Sequence, residues 1–187
     1  MMHTFVIISA ELAGLTAAEN ARRSKQLRER LSEEWMGTFP VSGCYKGTRE
    51  RSFLVPLLPY DLEPAHKAPQ LLRLRAIAAR EYDQESILYV DARLWARLIM
   101  CSAKEVIDLG RWVETDRATA EARDSYTTYT SGITCSARYF VTDAPTITYA
   151  EAQARYRAGD YAFKAPPVSP SRWTEADWIF YVLGVRP

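Results

Sequence analysis

Between Ser42 and Val55 the chain reads Ser-Gly-Cys-Tyr-Lys-Gly-Thr-Arg-Glu-Arg-Ser-Phe-Leu-Val. This is a β-hairpin pattern whose turn is crowded with the Tyr45 hydroxyl, the Glu50 carboxylate and the cations Lys46, Arg49 and Arg51. A hairpin requires turn residues and alternating apolar positions. It does not require a carboxylate between two arginines at the mouth of an apolar strand, and such a cluster suits a small ligand carrying both charges. A second segment, Glu81-Tyr82-Asp83-Gln84-Glu85, sets acids and an amide around an aromatic ring just before the apolar run Ile87-Leu88. Each of these residues also has a purely structural reading. Glu50 can belong to a surface ion-pair cluster, Tyr45 to cross-strand packing and Gln84 to a helix end.

Other chemistries find less support. The two histidines, His3 and His66, form no His-based metal site or triad. The three cysteines, Cys44, Cys101 and Cys135, match no metal or redox spacing and fit a reduced compartment. No metal and no cofactor are expected. A net charge of +1 gives no electrostatic case for nucleic acid. The basic run from Arg22 to Arg30 is interrupted by Glu29 and followed by Glu33 and Glu34, the pattern of a solvated helix face. No stretch approaches the ~20 apolar residues of a membrane-spanning helix. The run Phe5 to Ala10 is too short for a secretory leader.

At 187 residues, 48% of them apolar, the chain can bury a sizeable core. Phe5 to Ala10 reads as a strand covered on both faces. Thr16-Ala17-Ala18-Glu19 is a capping box that starts a helix. Leu27, Leu31 and Trp35 give that helix one buried stripe, and Gly37 closes it. Strands follow around Phe39 to Tyr45 and Glu50 to Leu57. Pro69 then lies in the first turn of a second helix whose Leu71, Leu74, Ile77 and Ala78 face the core. Ser86 to Val90, Leu94 to Met100 and Val106 to Trp112 read as further strands. The order β-α-β-β-α-β predicts an α+β, ferredoxin-like fold, with helices on one face of a mainly antiparallel sheet. Residues 1–115 would form the core and 116–187 a C-terminal β/α extension that packs on it or on a neighbouring subunit. In that extension Tyr126 to Thr130 and Ile133 to Val141 favour strands, and helix starts are expected at Thr148 and Trp173.

Over roughly residues 4 to 100 the chain resembles the phage S-adenosylmethionine lyases, formerly called hydrolases. The resemblance rests on five pieces in order: a first strand closing in Ser9-Ala10; Asn20 and Arg23 on the first helix; Gly43-Cys44-Tyr45-Lys46; Glu50-Arg51-Ser52; and Glu81 to Glu85 before the fourth strand. It implies that Glu50 is the essential carboxylate and that Tyr45 faces the same cleft. It supports Gln84 as a substrate contact; position alone adds Ser9, which ends a strand beside the hairpin, and Glu105 at the start of a later strand, for which a salt bridge with Lys104 or a neighbour is the stronger reading. Asn20 lies on the stripe leading to Leu27 and Leu31, so it points inward and holds the first strand's backbone. The implied reaction cleaves S-adenosyl-L-methionine to L-homoserine lactone and S-methyl-5'-thioadenosine, without cofactor. The resemblance further implies a homotrimer with sites between subunits, acting in a host's cytoplasm to deplete the methyl donor and blunt restriction. Turnover of a related sulfonium derivative, hydrolysis to homoserine, or a non-catalytic module for an adenosine ligand or host protein are the rival readings.

Overall fold

The computed structural model describes residues 4–34, 37–45, 47–57, 64–102, 106–123, 125–130 and 136–143. The elements run β1 (Phe5–Ser9), α1 (Ala17–Ser32), β2 (Phe39–Tyr45), β3 (Thr48–Pro56), α2 (Pro64–Tyr82), β4 (Ser86–Val90), β5 (Trp95–Met100), β6 (Val106–Thr115), α3 (Arg117–Glu121), β7 (Tyr126–Thr130) and β8 (Ala137–Thr142). The expected open ferredoxin-like sheet is not what forms. The strands close into an eight-membered antiparallel barrel in the order β1-β3-β2-β7-β8-β6-β5-β4. β1 pairs with β3 on one side and β4 on the other. β2 gains β7 as a second neighbour, and β8 joins β7 to β6. Strands that the sequence suggested as an appendage thus complete the wall.

Closure explains why β1 is apolar on both faces. Successive side chains of a strand point to opposite sides. Val6 and Ile8 lie in the outer core with Leu27 and Leu31 of α1 and Leu71, Leu74 and Ile77 of α2. Ile7 faces the lumen with Val41, Val90, Ala96 and Trp112, against which Phe5, Leu54, Leu88, Tyr129 and Phe140 pack. The helices therefore cover one flank of the barrel from outside. Burying each outer-core leucine or isoleucine contributes about 1.5–3 kcal/mol.

Local chemistry sets the element ends. Thr16 N–H donates to Glu19 Oε2 at 2.9 Å and Glu19 N–H to Thr16 Oγ at 3.3 Å, so the capping box closes as written. α1 stops at Ser32, before Gly37, and Gly37 with φ +81° turns the chain into β2. α2 begins at Pro64, which places Pro69 inside the helix and not in its first turn. Trp35 and the helix starts expected at Thr148 and Trp173 lie outside the described residues. Between Ala96 and Arg97 the register shifts so that Leu109 of β6 has no partner, beside Gly110 with φ +78°, and β6 bends there against β5.

Candidate functional site

An eight-stranded barrel has a lumen that side chains can just fill, or that holds one small ligand. Here one end is filled and the other is not. Trp112 stacks on Phe140 with centroids 5.5 Å apart, and Phe5 meets Trp112 edge-on at 6.1 Å. Towards the other end the lumen positions carry Ser9, Gly43, Ser52, Ser86 and Thr127, which are too small to meet across the barrel. They leave a cavity of about 230 Å³. One water needs only about 10–15 Å³ of such space, so the cavity is ligand-sized.

Glu50 projects into this cavity, and the hairpin register shows why. Residues directly opposed across a strand pair share a face. Gly43 opposes Glu50, Val41 opposes Ser52, and Ser52 opposes Ser9. Val41 lies in the lumen core, so Glu50, Ser52 and Ser9 face inward with it. Gly43 presents no side chain, which leaves room in front of the carboxylate. A Cβ at Gly43 would lie 2.6 Å from the Tyr126 carbonyl oxygen, so only glycine allows β2 and β7 to approach this closely. Tyr45, two residues along β2, lines the same cavity.

The arginines beside Glu50 in sequence are not its partners. Alternation sends Arg49 and Arg51 to the outer face. There Arg51 donates from Nε to Glu11 Oε1 at 3.0 Å and from its backbone N–H to Glu11 Oε2 at 3.1 Å. Glu11 also accepts from Ser24 Oγ at 2.8 Å, which ties β3 to α1. Glu50 is left half-buried with hydroxyl neighbours only weakly engaged. Ser52 Oγ donates to its Oε1 over a long 3.4 Å. Ser9 lies against it too, but the single Ser9 hydrogen goes to the Arg51 carbonyl at 2.9 Å. Burial pushes the Glu50 carboxyl up to about 7; the Ser9 and Ser52 hydroxyls pull it down less, and the Glu11 charge adds to the rise.

Gln84 also lines the cavity, with its Nε2 committed to the Glu11 carbonyl at 3.1 Å and the Tyr82 carbonyl at 3.2 Å. Asn20 and Arg23 hold the same corner from behind. Asn20 exchanges two 2.9 Å hydrogen bonds with the backbone of Leu12. Arg23 donates from Nε to the Ala10 carbonyl at 2.6 Å, and from Nη2 to the Tyr82 carbonyl, with its guanidinium 5.7 Å over the Tyr82 ring. These residues buckle the end of β1 to the end of α2 and so fix where Ser9 and Gln84 stand. Glu105 lies outside the described residues.

The structure thus brings Ser9, Tyr45, Glu50 and Gln84 around one cavity, together with Glu85 of the segment already singled out, and adds two charged residues that sequence reasoning missed, Asp108 and Arg123. Asp108 carried a faint signal, as an acid inside the apolar run Val106-Ile107-Asp108-Leu109. It opposes Arg97 and shares that residue's outer face, so its carboxylate turns from the lumen: it accepts from Trp95 Nε1 at 2.5 Å and from the Gly110 N–H at 2.8 Å, with Arg97 Nε 3.9 Å away. Arg123 carried none, because only barrel closure brings it to the lumen. Among the described residues no group of three or more His, Cys, Asp or Glu side chains is arranged to hold a metal ion, and no helix is long and apolar enough to cross a membrane. A search of curated proteins finds no match. A family model described as the S-Adenosylmethionine lyase family matches residues 6–141, from β1 through β8, the span of the closed barrel.

Proposed function

The chain belongs to the S-adenosylmethionine lyase family, and from that premise we propose that the barrel cavity binds S-adenosyl-L-methionine and cleaves it within itself. The products are L-homoserine lactone and S-methyl-5'-thioadenosine. The observation that carries this reading is Glu50: an inward carboxylate, separated by strand alternation from its neighbouring arginines, in a ligand-sized cavity. Such a group seeks a cation, and the substrate brings two, an ammonium and a sulfonium.

In this reaction one oxygen of the substrate's carboxylate attacks its own γ-carbon. The carbon–sulfur bond breaks, and its electron pair stays on sulfur as methylthioadenosine departs. No proton moves and no water enters. The protein's work is to fold the methionyl chain so that the oxygen lies behind the γ-carbon, which in intramolecular systems is worth up to about 7–11 kcal/mol. Glu50 anchors the ammonium. Tyr45 offers a ring face to the sulfonium, and the Trp112–Phe140 end of the lumen supplies an apolar wall against which the adenosine can lie. Arrival of the substrate's positive charge lowers the Glu50 pKa from about 7, so that it binds ionised.

The same value favours one rival. A carboxyl near 7 is well poised as a general base, and Glu50 could then activate water to give homoserine directly. Incubating the protein with S-adenosyl-L-methionine in oxygen-18 water separates the two: the lyase forms unlabelled lactone first, whereas hydrolysis labels homoserine from the start. Absence of methylthioadenosine altogether would refute both. The resemblance to phage enzymes extends the reading to a homotrimer in a host cytoplasm, where loss of the methyl donor blunts restriction and methylation; sedimentation and a restriction-challenge plating assay test those two parts.

A further inference from the structure

We propose that Arg123 holds the α-carboxylate of the substrate and thereby sets the direction in which the methionyl chain lies in the lumen. This rests on the cavity being a site for S-adenosyl-L-methionine. Of the described residues that line the cavity, Glu50, Glu85 and Asp108 are acidic and Arg123 alone is a cation. The substrate has the complementary inventory, two positive centres and one carboxylate. Asp108 opposes Arg97 and is engaged by Trp95, Gly110 and Arg97 on the outer face, so Glu50 is the inward anion for the substrate's positive centres, and its single anion has Arg123 as cationic partner.

Position supports the match. Arg123 follows α3, where its N–H donates to the Ala120 carbonyl at 3.0 Å. Its Nη1 donates to the Thr142 carbonyl of β8 at 2.8 Å, and Thr142 lines the cavity as well. That one bond orients the guanidinium, which has five N–H donors in a planar fork and so keeps others for a carboxylate. In barrel order β8 lies beyond β2 and β7 from β3. Arg123 and Glu50 therefore approach the lumen from separate walls, and an amino-acid zwitterion between them has its α-carbon fixed by both of its charges.

The chemistry predicts how Arg123 contributes. It grips one carboxylate oxygen while the other attacks the γ-carbon. As the ring closes, the gripped oxygen becomes the neutral lactone carbonyl and the charge-assisted bond weakens. Arg123 thus binds the ground state more strongly than the transition state, so its removal raises KM rather than lowering kcat.

The test measures methylthioadenosine formation by wild type, Arg123→Gln and Arg123→Lys, together with inhibition by methylthioadenosine, which has no carboxylate. The expected result is a KM raised about tenfold to a hundredfold in Arg123→Gln, the scale of one charge-assisted hydrogen bond, with methylthioadenosine inhibition unmoved and part of the KM recovered in Arg123→Lys. An unchanged KM, or inhibition weakened in step with it, overturns the assignment. Wild type supplies an arm independent of variant folding. Decarboxylated S-adenosylmethionine should bind about tenfold to a hundredfold more weakly than the substrate, and equal binding overturns the proposal. Turnover by wild type with either negative result refutes the role of Arg123 alone. No turnover and no binding by wild type refutes the proposed function, and this inference with it.

Discussion

Replacing Glu50 by glutamine should stabilise the empty protein in a pH-dependent way while abolishing its turnover. Lifting a carboxyl from 4.5 to about 7 by burial costs the folded state about 3 kcal/mol, at about 1.4 kcal/mol per pH unit. The sign follows from proton binding. Below pH 4.5 both folded and unfolded chains hold the proton, and no penalty exists. Between 4.5 and about 7 the unfolded chain ionises while the folded one does not, so wild-type stability falls as pH rises; above about 7 the penalty is constant. Glutamine mimics the protonated acid and escapes it. For a chain of 187 residues, where 1 kcal/mol moves the melting temperature by about 2–4 °C, Glu50→Gln should melt about 6–12 °C above wild type at pH 8. At pH 5 the penalty shrinks to about 1 kcal/mol and the gap to about 2–4 °C. Calorimetric melts of both proteins at the two pH values decide the matter. A gap independent of pH, or a variant less stable than wild type at pH 8, would refute the claim that Glu50 is ionised at a cost.

The same group should signal ligand capture: at pH 7 binding of the cationic substrate should release about half a proton, read from calorimetric titrations in buffers of different ionisation enthalpy, and zero release would contradict the cation-anchor role. Gly43→Ala should lower stability by about 1–3 kcal/mol, because its Cβ would meet the Tyr126 carbonyl oxygen at 2.6 Å and push β2 away from β7; a denaturant melt indistinguishable from wild type would show that the two strands yield freely. Arg23→Met should cost about 2–4 kcal/mol by stripping the Ala10 and Tyr82 carbonyls of their donor, with circular dichroism melts as the measure. A loss below about 0.5 kcal/mol, the range of an ordinary surface substitution, would make Arg23 a surface residue.

What was legible in the sequence was mostly local. The Thr16 to Glu19 capping box, the leucine stripe of α1 and the doubly apolar β1 each follow from a few adjacent residues, and all are found. Closure was not legible, because it depends on β7 and β8 reaching β2 and β6 across long stretches of chain, and backbone hydrogen bonds leave no side-chain signature. β7 and β8 lie beyond residue 115, in the stretch expected as an extension, and both belong to the barrel wall. That omission hid Arg123 and the lumen itself. Glu50 stood out for a reason the structure revises: the flanking arginines drew attention to it, and strand alternation turns them away. Period-two alternation was available in the sequence and, applied to Arg49-Glu50-Arg51, already separates the acid from its neighbours.

Under the proposed function, that separation accounts for the choice of ligand. Had Arg51 paired with Glu50, the carboxylate would be ionised, neutralised and indifferent to a substrate cation. Instead Glu11 takes Arg51 on the outside, and Glu50 waits in a lumen where burial raises its pKa to about 7. The low polarity that makes a lone anion costly there also strengthens its attraction for any cation admitted. A small metal ion or a lysine-like amine could satisfy that charge but not the remainder of the cavity, with its small-residue clearing at Gly43 and Ser52 and its aromatic end at Trp112 and Phe140. Only a ligand that brings positive charge and a flat apolar body together relieves the cost of the anion and fills the lumen at once. Barrel closure is what couples the two demands, since an open sheet would leave Glu50 solvated, with an ordinary pKa and no preference between one cation and another.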